Sequence, residues 1–358
     1  MRNFEQYNSS YAKKGATMTQ IHENKRLRFF GKLSAGQFLF GWFSIFCLLL
    51  MFKNGEIASE YIHRGLLLCT KTVIPSLFPF MVLSELLVCS GTGERLIQKV
   101  AVPLTRLFRL PASGICAMIL GMLCGFPVGA KAVVSAYRRG ALSKRDAERA
   151  LAVSNNPSSA FILGAVGASL WENTRFGIAL YGTILGSSIL YGLLDARLER
   201  KKTASARKTV SITESSESYQ SGAKLFTESI ASASKGILSV CAYVVFFAAL
   251  MGALNAILVS FHAPRVLTAA LFGCLELAGG VESCATLENL FVGAILSAFT
   301  CGWSGLSVHC QVISVCDGLG LSFRPYFFAK LLQGILCALI FGSIVMLFPD
   351  IFFVKGLV

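Results

Sequence analysis

The chain has 358 residues, of which 54% are hydrophobic and only 15% are charged, and its mean hydropathy is +0.63. Soluble domains average about 45–50% apolar and about 25% charged residues, so this composition excludes an ordinary soluble domain and indicates a polytopic membrane protein. The formal net charge of +14 does not indicate nucleic-acid binding, because the basic residues lie between the apolar runs, where the positive-inside rule expects them.

The N-terminal part of the chain predicts a tail followed by one membrane helix. Residues 1–34 are polar and basic, so we expect a cytoplasmic tail. Residues 35–52 form an apolar run that is long for a signal peptide, and no A-x-A-like cleavage site follows it. This run therefore predicts an uncleaved transmembrane helix that passes from the inside to the outside of the membrane.

A second apolar span, residues 65–90, contains two prolines and one carboxylate. Pro75 and Pro79 each remove a backbone donor and are expected to kink the helix. Glu85 lies near the inner end of the span, and a carboxylate within a membrane is by default a functional candidate. The alternative is that Glu85 reaches the interface or pairs with a nearby cation.

The stretch Cys124–Lys131 (CGFPVGAK) interrupts the next apolar run, Pro111–Tyr137, at what should be membrane depth. Both flanks of this run are strongly basic, and one straight helix would place one of them outside, against the positive-inside rule. Two half-helices of about twelve residues, about 18 Å each, would instead return to the cytoplasm with their tip near the middle of the bilayer. We therefore predict a re-entrant helical hairpin. The alternative is a tilted complete span in which Lys131 extends to the interface.

The segment 143–170 predicts a helix that is broken within the membrane. Ser143 is typical of an N-cap, and the helix after it runs to Asn155–Ser159 (NNPSS) before the apolar pattern resumes. A helix that restarts there would present free N–H groups and the positive end of its dipole to a polar or anionic ligand. The alternative is a surface loop before a short helix. Residues 176–194 then predict a span that returns to the cytoplasm.

Composition divides the membrane region into two halves. Residues 60–194 form the first half. Residues 195–235 are rich in Ser, Thr, Lys and Glu and cannot bury a core, so they predict a cytoplasmic polar linker. Residues 236–358 form the second half, which begins with an outward span.

The second half predicts another membrane carboxylate and another hairpin. Glu276 lies in an apolar stretch of about fifteen residues, which is too short for a straight crossing and which Gly279–Gly280 is expected to end. It is the strongest candidate for a polar contact inside the membrane, and the alternative is an interfacial position. Residues 290–317 predict a second re-entrant hairpin, broken at Cys301–Gly305. A final span, 327–348, would leave the C-terminus inside.

Neither a metal site nor an enzyme is predicted. The 12 cysteines are scattered, and the cluster of Cys301, Cys310 and Cys316 near His309 lacks a carboxylate at a helical spacing that would complete a ligand set. His309 itself is either a core residue or part of a binding site. The sequence has no nucleophile–base pair and no phosphate-binding loop, so any transport must be passive or coupled to an ion.

The two halves share short landmarks. Cys-Gly-aromatic occurs at Cys124–Phe126 and at Cys301–Trp303, and Leu-Ser followed shortly by Arg occurs at 142–145 and at 321–324. Counted by crossings, the first half starts outside and the second starts inside. The predicted fold is therefore all-α: a polytopic membrane protein of two inverted-topology halves, each with a re-entrant helical hairpin and broken helices.

Several of these motifs resemble the sporulation integral membrane protein family usually labelled YlbJ, which carries the nucleoside-recognition Gate domain. The resemblance is carried by VIPSLFPFMVLSELL, GFPVGAKAV, RRGALSKRDAERAL and SNNPSSAFILGAVG, and it extends over most of 60–350. It implies a role in spore formation and, because Gate domains are similar to parts of concentrative nucleoside transporters, it implies transport. Pro127 and Lys131 have no counterpart in the second predicted hairpin, so the two tips need not act alike.

The leading hypothesis is a multi-pass cell-membrane transporter, with both termini cytoplasmic, that moves a small polar or anionic solute by alternating access. The solute would be nucleoside-like or a precursor of the spore envelope. The predicted partners are this solute or an ion and the lipid bilayer, with a second copy of the chain or a sporulation membrane protein as further candidates; no nucleic acid and no cofactor is predicted. The alternative is a non-transporting membrane scaffold needed for assembly of the spore cortex or envelope. The predicted substrate-binding residues are Gly125, Phe126, Pro127, Gly129, Lys131, Asn155, Asn156, Ser158, Glu276, Gly302, Ser304 and His309.

Overall fold

The computed structural model describes residues 35–90, 101, 103–202 and 222–352, and the regular secondary structure in these ranges is all helical, which confirms the all-α class. Six of the described helical segments are long and apolar enough to cross a membrane. The predicted tail, 1–34, lies outside the described residues. In chain order the helices are α1 (Ala35–Lys53), α2 (Gly55–Leu68), α3 (Ile74–Cys89), α4 (Ala112–Cys124), α5 (Val128–Arg138), α6 (Lys144–Ser154), α7 (Thr174–Lys202), α8 (Gly222–Ser260), α9 (Arg265–Leu275), α10 (Leu277–Ala285), α11 (Leu290–Trp303), α12 (Gly305–Val315), α13 (Arg324–Leu347) and α14 (Pro349–Phe352), with π-helical segments at Cys69–Val73 and Phe161–Leu170.

The chain divides into two units. The first, Met1–Asn54, contains α1 in its described part, and α1 covers the first predicted span. The second, Gly55–Val358, contains all the other described helices and every site residue predicted from the sequence. Of the predicted linker, 203–221 lies outside the described residues, whereas its two ends are helical and continue α7 and α8.

The helix α2 continues through the π-helical segment Cys69–Val73 into α3, so the prolines do not end the span. The Ile74 N–H donates to the Cys69 carbonyl, a bond that reaches one residue further than in an α-helix. A π-helical turn is one of the known ways in which a helix adapts to a local irregularity, and here it directly precedes Pro75. The span packs along α8, where Gly65 faces Ala248 and leaves no room for a side chain.

Helices α4 and α5 form an antiparallel pair, which we name hairpin 1. The two ends of the pair meet, since the Ser113 hydroxyl donates to the Ala141 carbonyl at 3.1 Å. Near the turn, a β-carbon on Gly129 would lie only 3.0 Å from the Gly121 Cα, so the two backbones approach closely. The chain reverses at Gly125, whose φ of 78° is one that glycine adopts without strain.

Helix α6 and the π-helical segment Phe161–Leu170 form what we name broken helix 1. Its start agrees with the predicted N-cap, because the Ser143 hydroxyl accepts from the Asp146 N–H at 3.1 Å. Residues 155–158 are not helical, so the predicted interruption at the NNPSS segment is present. Residues 171–173 then connect broken helix 1 to α7.

Contacts at the two ends of α7 define two opposite faces of the second unit. Near its C-terminal end, Glu199 pairs with Arg145 at 2.6 Å, on what we name the basic face. Just before its N-terminal end, the Asn173 side chain donates to the Phe352 carbonyl at 3.0 Å, on what we name the Trp171 face. Helix α7 has 29 residues and is therefore about 43 Å long, which separates the two faces by more than the thickness of a bilayer core.

Helices α9 and α10 form a second antiparallel pair, hairpin 2. The chain breaks at Glu276, which has extended backbone angles, and not at Gly279–Gly280, where the sequence predicts the end of the helix. Both glycines lie inside α10. A β-carbon on Gly280 would lie 2.4 Å from the Gly273 Cα, so this glycine permits close packing of the two helices instead of ending one of them.

Helices α11 and α12 form broken helix 2, interrupted at Ser304. Ser304 has a left-handed backbone with φ of 78°, and Gly305 follows with φ of 75°. The interruption therefore lies within the predicted stretch Cys301–Gly305. The left-handed turn redirects the chain, because α11 packs mainly on α13 whereas α12 packs on α8.

The predicted hairpin over 290–317 is not what the contacts describe. Gly293, at the start of broken helix 2, lies against the Trp171 ring and hence on the Trp171 face. Beyond the other end, the Ser322 N–H donates to the Glu148 carboxylate at 2.7 Å, close to Arg145 on the basic face. The segment thus passes from one face to the other, because a bend at one residue changes its direction without reversing it.

The two halves contain the same kinds of element in the same order. Matching the halves by this order does not match their two Cys-Gly-aromatic landmarks. Each half has a long span, a hairpin, a broken helix and another long span. Cys124–Phe126 lies at the tip of hairpin 1, whereas Cys301–Trp303 lies at the end of α11 in broken helix 2. By order, the counterpart of the hairpin 1 tip is instead the tip of hairpin 2 at Glu276.

Candidate functional site

The tip of hairpin 1 contacts the interruption of broken helix 1. The Phe126 N–H donates to the Asn156 carbonyl at 3.0 Å. A β-carbon on Gly125 would lie 2.5 Å from the Ser158 nitrogen, so the absence of a side chain allows the two segments to touch. The Phe126–Pro127 peptide bond at this tip is cis. The structure therefore brings together the predicted residues of these two segments.

The tip of hairpin 2 contacts the interruption of broken helix 2 in the same manner. A β-carbon on Gly305 would lie 3.0 Å from the Leu277 nitrogen and 3.1 Å from the Glu276 Cα. Glu276 is only 3% exposed, and its carboxylate accepts from the Gly279 N–H at 2.6 Å as the N-cap of α10. A carboxylate is favoured at the N-terminus of a helix by the helix dipole. Glu276 and Ser304 are thus neighbours, as the sequence analysis expects of two residues in one site.

The interruptions lie at mid-depth between the two faces. Helix α9 has 11 residues and begins at Arg265, so Glu276 lies about 16 Å from that end. Helix α6 also has 11 residues and begins next to the basic face, which puts Asn155 about 16 Å from it. A bilayer core is about 30 Å thick. Each interruption therefore lies about half the thickness of a bilayer core along its helix from the start of that helix.

Lys131 lies apart from the two interruptions and is already paired. Its ammonium contacts the Glu85 carboxylate and donates to the Ser232 hydroxyl at 3.3 Å, and that hydroxyl donates to Glu85 at 2.9 Å. The Lys131 and Glu85 side chains are 28% and 12% exposed. Pairing with a cation is the alternative that the sequence analysis left open for Glu85. The pair joins α3, α5 and α8, and it neutralises the one lysine among the predicted substrate-binding residues.

A second lysine, which the sequence analysis did not select, contacts the interruption of broken helix 1. Lys330 of α13 is fully buried, and its ammonium donates to the Asn155 carbonyl at 2.8 Å and to the Gln333 side-chain oxygen at 2.9 Å. The Gln333 amide nitrogen donates in turn to the Ala152 carbonyl at 2.8 Å. A charge inside the apolar span Arg324–Leu347 is the same signal that singled out Glu85 and Glu276, so Lys330 could have been selected from the sequence.

The remaining predicted residues lie beside α13 or inside hairpin 1. His309 is buried, with its Nδ1 atom 3.1 Å from the Tyr326 hydroxyl and its ring edge-on to Trp303. Gly302 allows close packing, because a β-carbon there would lie 2.8 Å from the Gln333 carbonyl. Gly129 likewise faces backbone, because a β-carbon there would lie 2.0 Å from the Ser154 carbonyl oxygen. The two glycines are positions of close helix packing.

Several buried polar atoms near the interruptions have no hydrogen-bond partner within the described part of the chain. They include the Ser154 hydroxyl, the side-chain oxygens of Asn155 and Asn156, and the Nε2 atom of His309. Buried polar groups are nearly always hydrogen-bonded, and a buried group without a partner lowers the stability of the fold by about 1–3 kcal/mol. Such a group is therefore a candidate contact for a ligand, an ion or water.

A cavity of about 410 Å³ leads to Glu276 between α2, α8, α9 and α10. Its rim carries three exposed charged residues, Arg64, Arg265 and Glu282. Asn255 also lines the wall, and the buried Glu276 lies at the inner end. The volume is within the usual range of about 300–1,000 Å³ for small-molecule sites. Of the predicted site residues, only Glu276 lines this cavity.

One curated protein is similar to this chain along most of its length. The alignment covers 326 residues at 27% identity, which is 83% of this chain and 79% of the relative, named "Sporulation integral membrane protein YlbJ" of Bacillus subtilis (strain 168). No family model matches the chain, and no solved structure matches it. The similarity supports the YlbJ-type resemblance but not the presence of a Gate domain. Together with the six apolar helices, it supports a multi-pass membrane protein similar to a sporulation integral membrane protein.

Proposed function

We propose that the protein is a sporulation-associated membrane transporter that moves a small polar solute by alternating access. The observation that carries the proposal is the buried carboxylate of Glu276 at the inner end of a cavity of about 410 Å³ with a charged, exposed rim. An ionisable group inside a membrane protein is by default a candidate functional site. The cavity gives a solute a path to this group from one face, and the hairpin tip at its end is the part that would move.

The chemistry of the cavity favours a neutral or zwitterionic solute that is rich in hydrogen-bond donors. Glu276 accepts hydrogen bonds, and Asn255 and Tyr61 can both donate and accept. An anion would approach the Glu276 carboxylate, which has no ion-pair partner among the described residues. Lys131, the cation among the predicted substrate-binding residues, is paired with Glu85 elsewhere. The hydroxyl and N–H groups of a nucleoside fit this environment, whereas an anionic envelope precursor does not. This narrows the solute expected from the sequence.

The two hairpins enter from opposite faces in this proposal, as an inverted repeat requires. The start and end of hairpin 1 meet at Ser113 and Ala141, next to the basic face. The end of hairpin 2 is near the Trp171 face, since Cys284 and the Trp171 ring both border Gly293. Each tip then ends near the midplane against a broken helix. Rocking of one hairpin-and-break unit against the other would open the site to either side in turn.

We orient the molecule with the basic face in the cytoplasm, by the positive-inside rule. The cavity rim at Arg265 and the end of α14 at Phe352 then lie on the extracytoplasmic side. The prediction of a cytoplasmic C-terminus depends on 290–317 forming a hairpin. With that segment crossing the membrane, the count changes by one and the last described residues come out on the other side.

The experiment that tests the proposal measures solute binding and uptake with one matched pair of variants. Purified protein would be screened by thermal shift against purine and pyrimidine nucleosides, and the best solute would be used in radiolabelled uptake into proteoliposomes. Glu276→Gln keeps an acceptor for the Gly279 N–H and removes only the charge, and we expect it to weaken binding by about tenfold or more. Glu56→Gln makes the same chemical change at an exposed position of α2 that does not line the cavity, and it should bind normally.

Two outcomes would count against transport. The first is that no nucleoside or other small polar solute is taken up by proteoliposomes above a protein-free background. The second is that Glu276→Gln supports normal sporulation at a normal protein level, which would favour the non-transporting scaffold. A variant that binds solute but does not move it would place the defect in the moving hairpin instead.

A further inference from the structure

We infer that the interruption of broken helix 1 is a monovalent-cation site whose cation is supplied by the chain itself, the ammonium of Lys330. The geometry of this contact is independent of what is transported. Its consequence for coupling rests on the proposed function: a transporter with this site would not use Na⁺ there, because the position is already filled.

The atoms around the Lys330 ammonium are those that coordinate a small cation. The Asn155 carbonyl lies at the C-terminal end of α6, where the helix dipole is negative. The second partner is the neutral amide oxygen of Gln333, which is oriented by its own bond to the Ala152 carbonyl. In transporters, unwound carbonyls and the C-terminal ends of half-helices hold Na⁺ or H⁺. Here the same kind of oxygen set holds a primary ammonium.

An ion pair does not account for the burial of Lys330. Among the described residues, no carboxylate oxygen lies within 4.0 Å of its ammonium, whereas the side chains of Lys131 and Arg149 each have one. A buried charge that is stabilised only by oxygen dipoles is in the situation of a bound metal ion. The ligands have been arranged for a cation, and the lysine stem tethers that cation to α13.

The same interruption carries further buried oxygens. The Ser154 hydroxyl and the side-chain oxygens of Asn155 and Asn156 are buried at the same interruption and have no partner among the described residues. The Asn155 carbonyl and the Gln333 oxygen, which contact the ammonium, are the two ligands that a Na⁺ ion at its position would take from the protein. Shortening Lys330 to alanine would free the position of its ammonium for such an ion.

The tethered cation restricts what can be coupled at this position. A lysine cannot leave the site, so the charge there changes only when a proton leaves or joins the nitrogen. The corresponding span of the first half, α7, has no charged residue between Arg175 and Asp195. Of these two corresponding spans, only α13 therefore carries a buried lysine at a helix interruption. The contact joins α13 of the second half to broken helix 1 of the first.

Thermal unfolding in detergent tests the inference without any solute. The melting temperature would be measured against NaCl, with choline chloride replacing it at constant ionic strength, for the wild type and two variants. We expect no saturable response to Na⁺ in the wild type. Lys330→Ala should melt lower in choline and recover several degrees in a saturable manner with Na⁺, because a bound ion stabilises the folded state. Lys330→Met, which fills the space with an uncharged side chain, should melt lower without recovery.

Saturable stabilisation of the wild type by Na⁺ over choline would overturn the inference, and so would a folded Lys330→Ala protein that does not distinguish Na⁺ from choline. If Lys330→Ala cannot be purified, Lys330→Ser takes its place, because its short polar side chain also leaves the position of the ammonium open to an ion. Equal recovery of the Met variant would also count against a specific site. None of these results depends on solute uptake, so failure of this inference can be distinguished from failure of the transport proposal.

Discussion

Replacing Gly280 by alanine tests whether hairpin 2 is a closely packed pair of helices. A β-carbon there would lie 2.4 Å from the Gly273 Cα and 2.8 Å from the Gly273 nitrogen. Non-bonded carbon atoms prefer about 3.5–4.0 Å, so α9 and α10 would have to separate by about 1 Å. Both obstructing atoms belong to the backbone, and no change of rotamer can relieve the clash.

The magnitude follows from two opposing terms. Overpacking typically destabilises by about 1–3 kcal/mol, and sometimes by more. Alanine is favoured over glycine inside a helix by about 1 kcal/mol, which offsets part of this loss. Because the obstructing atoms belong to the backbone, the upper part of the overpacking range, about 2–3 kcal/mol, applies. We therefore expect Gly280→Ala to lower the free energy of unfolding by about 1–2 kcal/mol. Because the hairpin tip carries Glu276, solute binding should weaken as well.

A thiol-reactive dye provides the assay, because the buried free cysteines Cys284 and Cys301 become reactive only when the fold opens. The control is Gly182→Ala in α7, where no atom lies within 4 Å of the new β-carbon. It should leave the melting temperature unchanged or raise it slightly through helix propensity. Equal melting temperatures for the two variants would refute the close approach of α9 and α10.

Three other predictions concern ion pairs and topology. Glu85→Gln should destabilise the fold by about 1–3 kcal/mol, less than for a fully buried pair because both side chains are partly exposed; adding Lys131→Met should restore part of the loss in a double-mutant cycle. Arg149→Lys should lower the melting temperature, because one ammonium cannot replace the three separate bonds that the buried guanidinium makes; an unchanged melting temperature would show that these bonds are dispensable. In a variant without its native cysteines, Glu288→Cys and Ser322→Cys, which are exposed before α11 and after α12, should react with an impermeant thiol reagent from opposite sides of the membrane; labelling of both from one side would exclude the crossing of α11–α12.

The interruptions at Gly125, Asn155 and Ser304 were predictable because they depend on local chemistry. A glycine with positive φ, an Asn-Asn-Pro run and a Ser-Gly step each disfavour a continuous helix irrespective of the rest of the fold. The interruption at Glu276 was misplaced for the same reason. Glutamate is not among the preferred N-cap residues, and two glycines close by offered a more familiar place for the helix to end.

The pairing of helices could not be predicted from these local signals. Whether a bend reverses the chain depends on which surfaces are available to its two arms. At Gly125 both arms pack on each other, whereas at Ser304 one arm packs on α13 and the other on α8. The landmarks at Cys124 and Cys301 look alike in sequence, but the elements on which they lie have different partners.

The amino-acid sequence alone determined that the protein is helical and multi-pass and where most of its helices are interrupted, because apolar length and backbone chemistry act within a few residues. Only the tertiary structure decided which charges meet. It paired Lys131 with Glu85, left Glu276 at the end of a cavity and brought Lys330 to the Asn155 carbonyl across 175 positions of the chain. Electrostatic partners are chosen by distance in space, and a sequence carries that distance only through the fold.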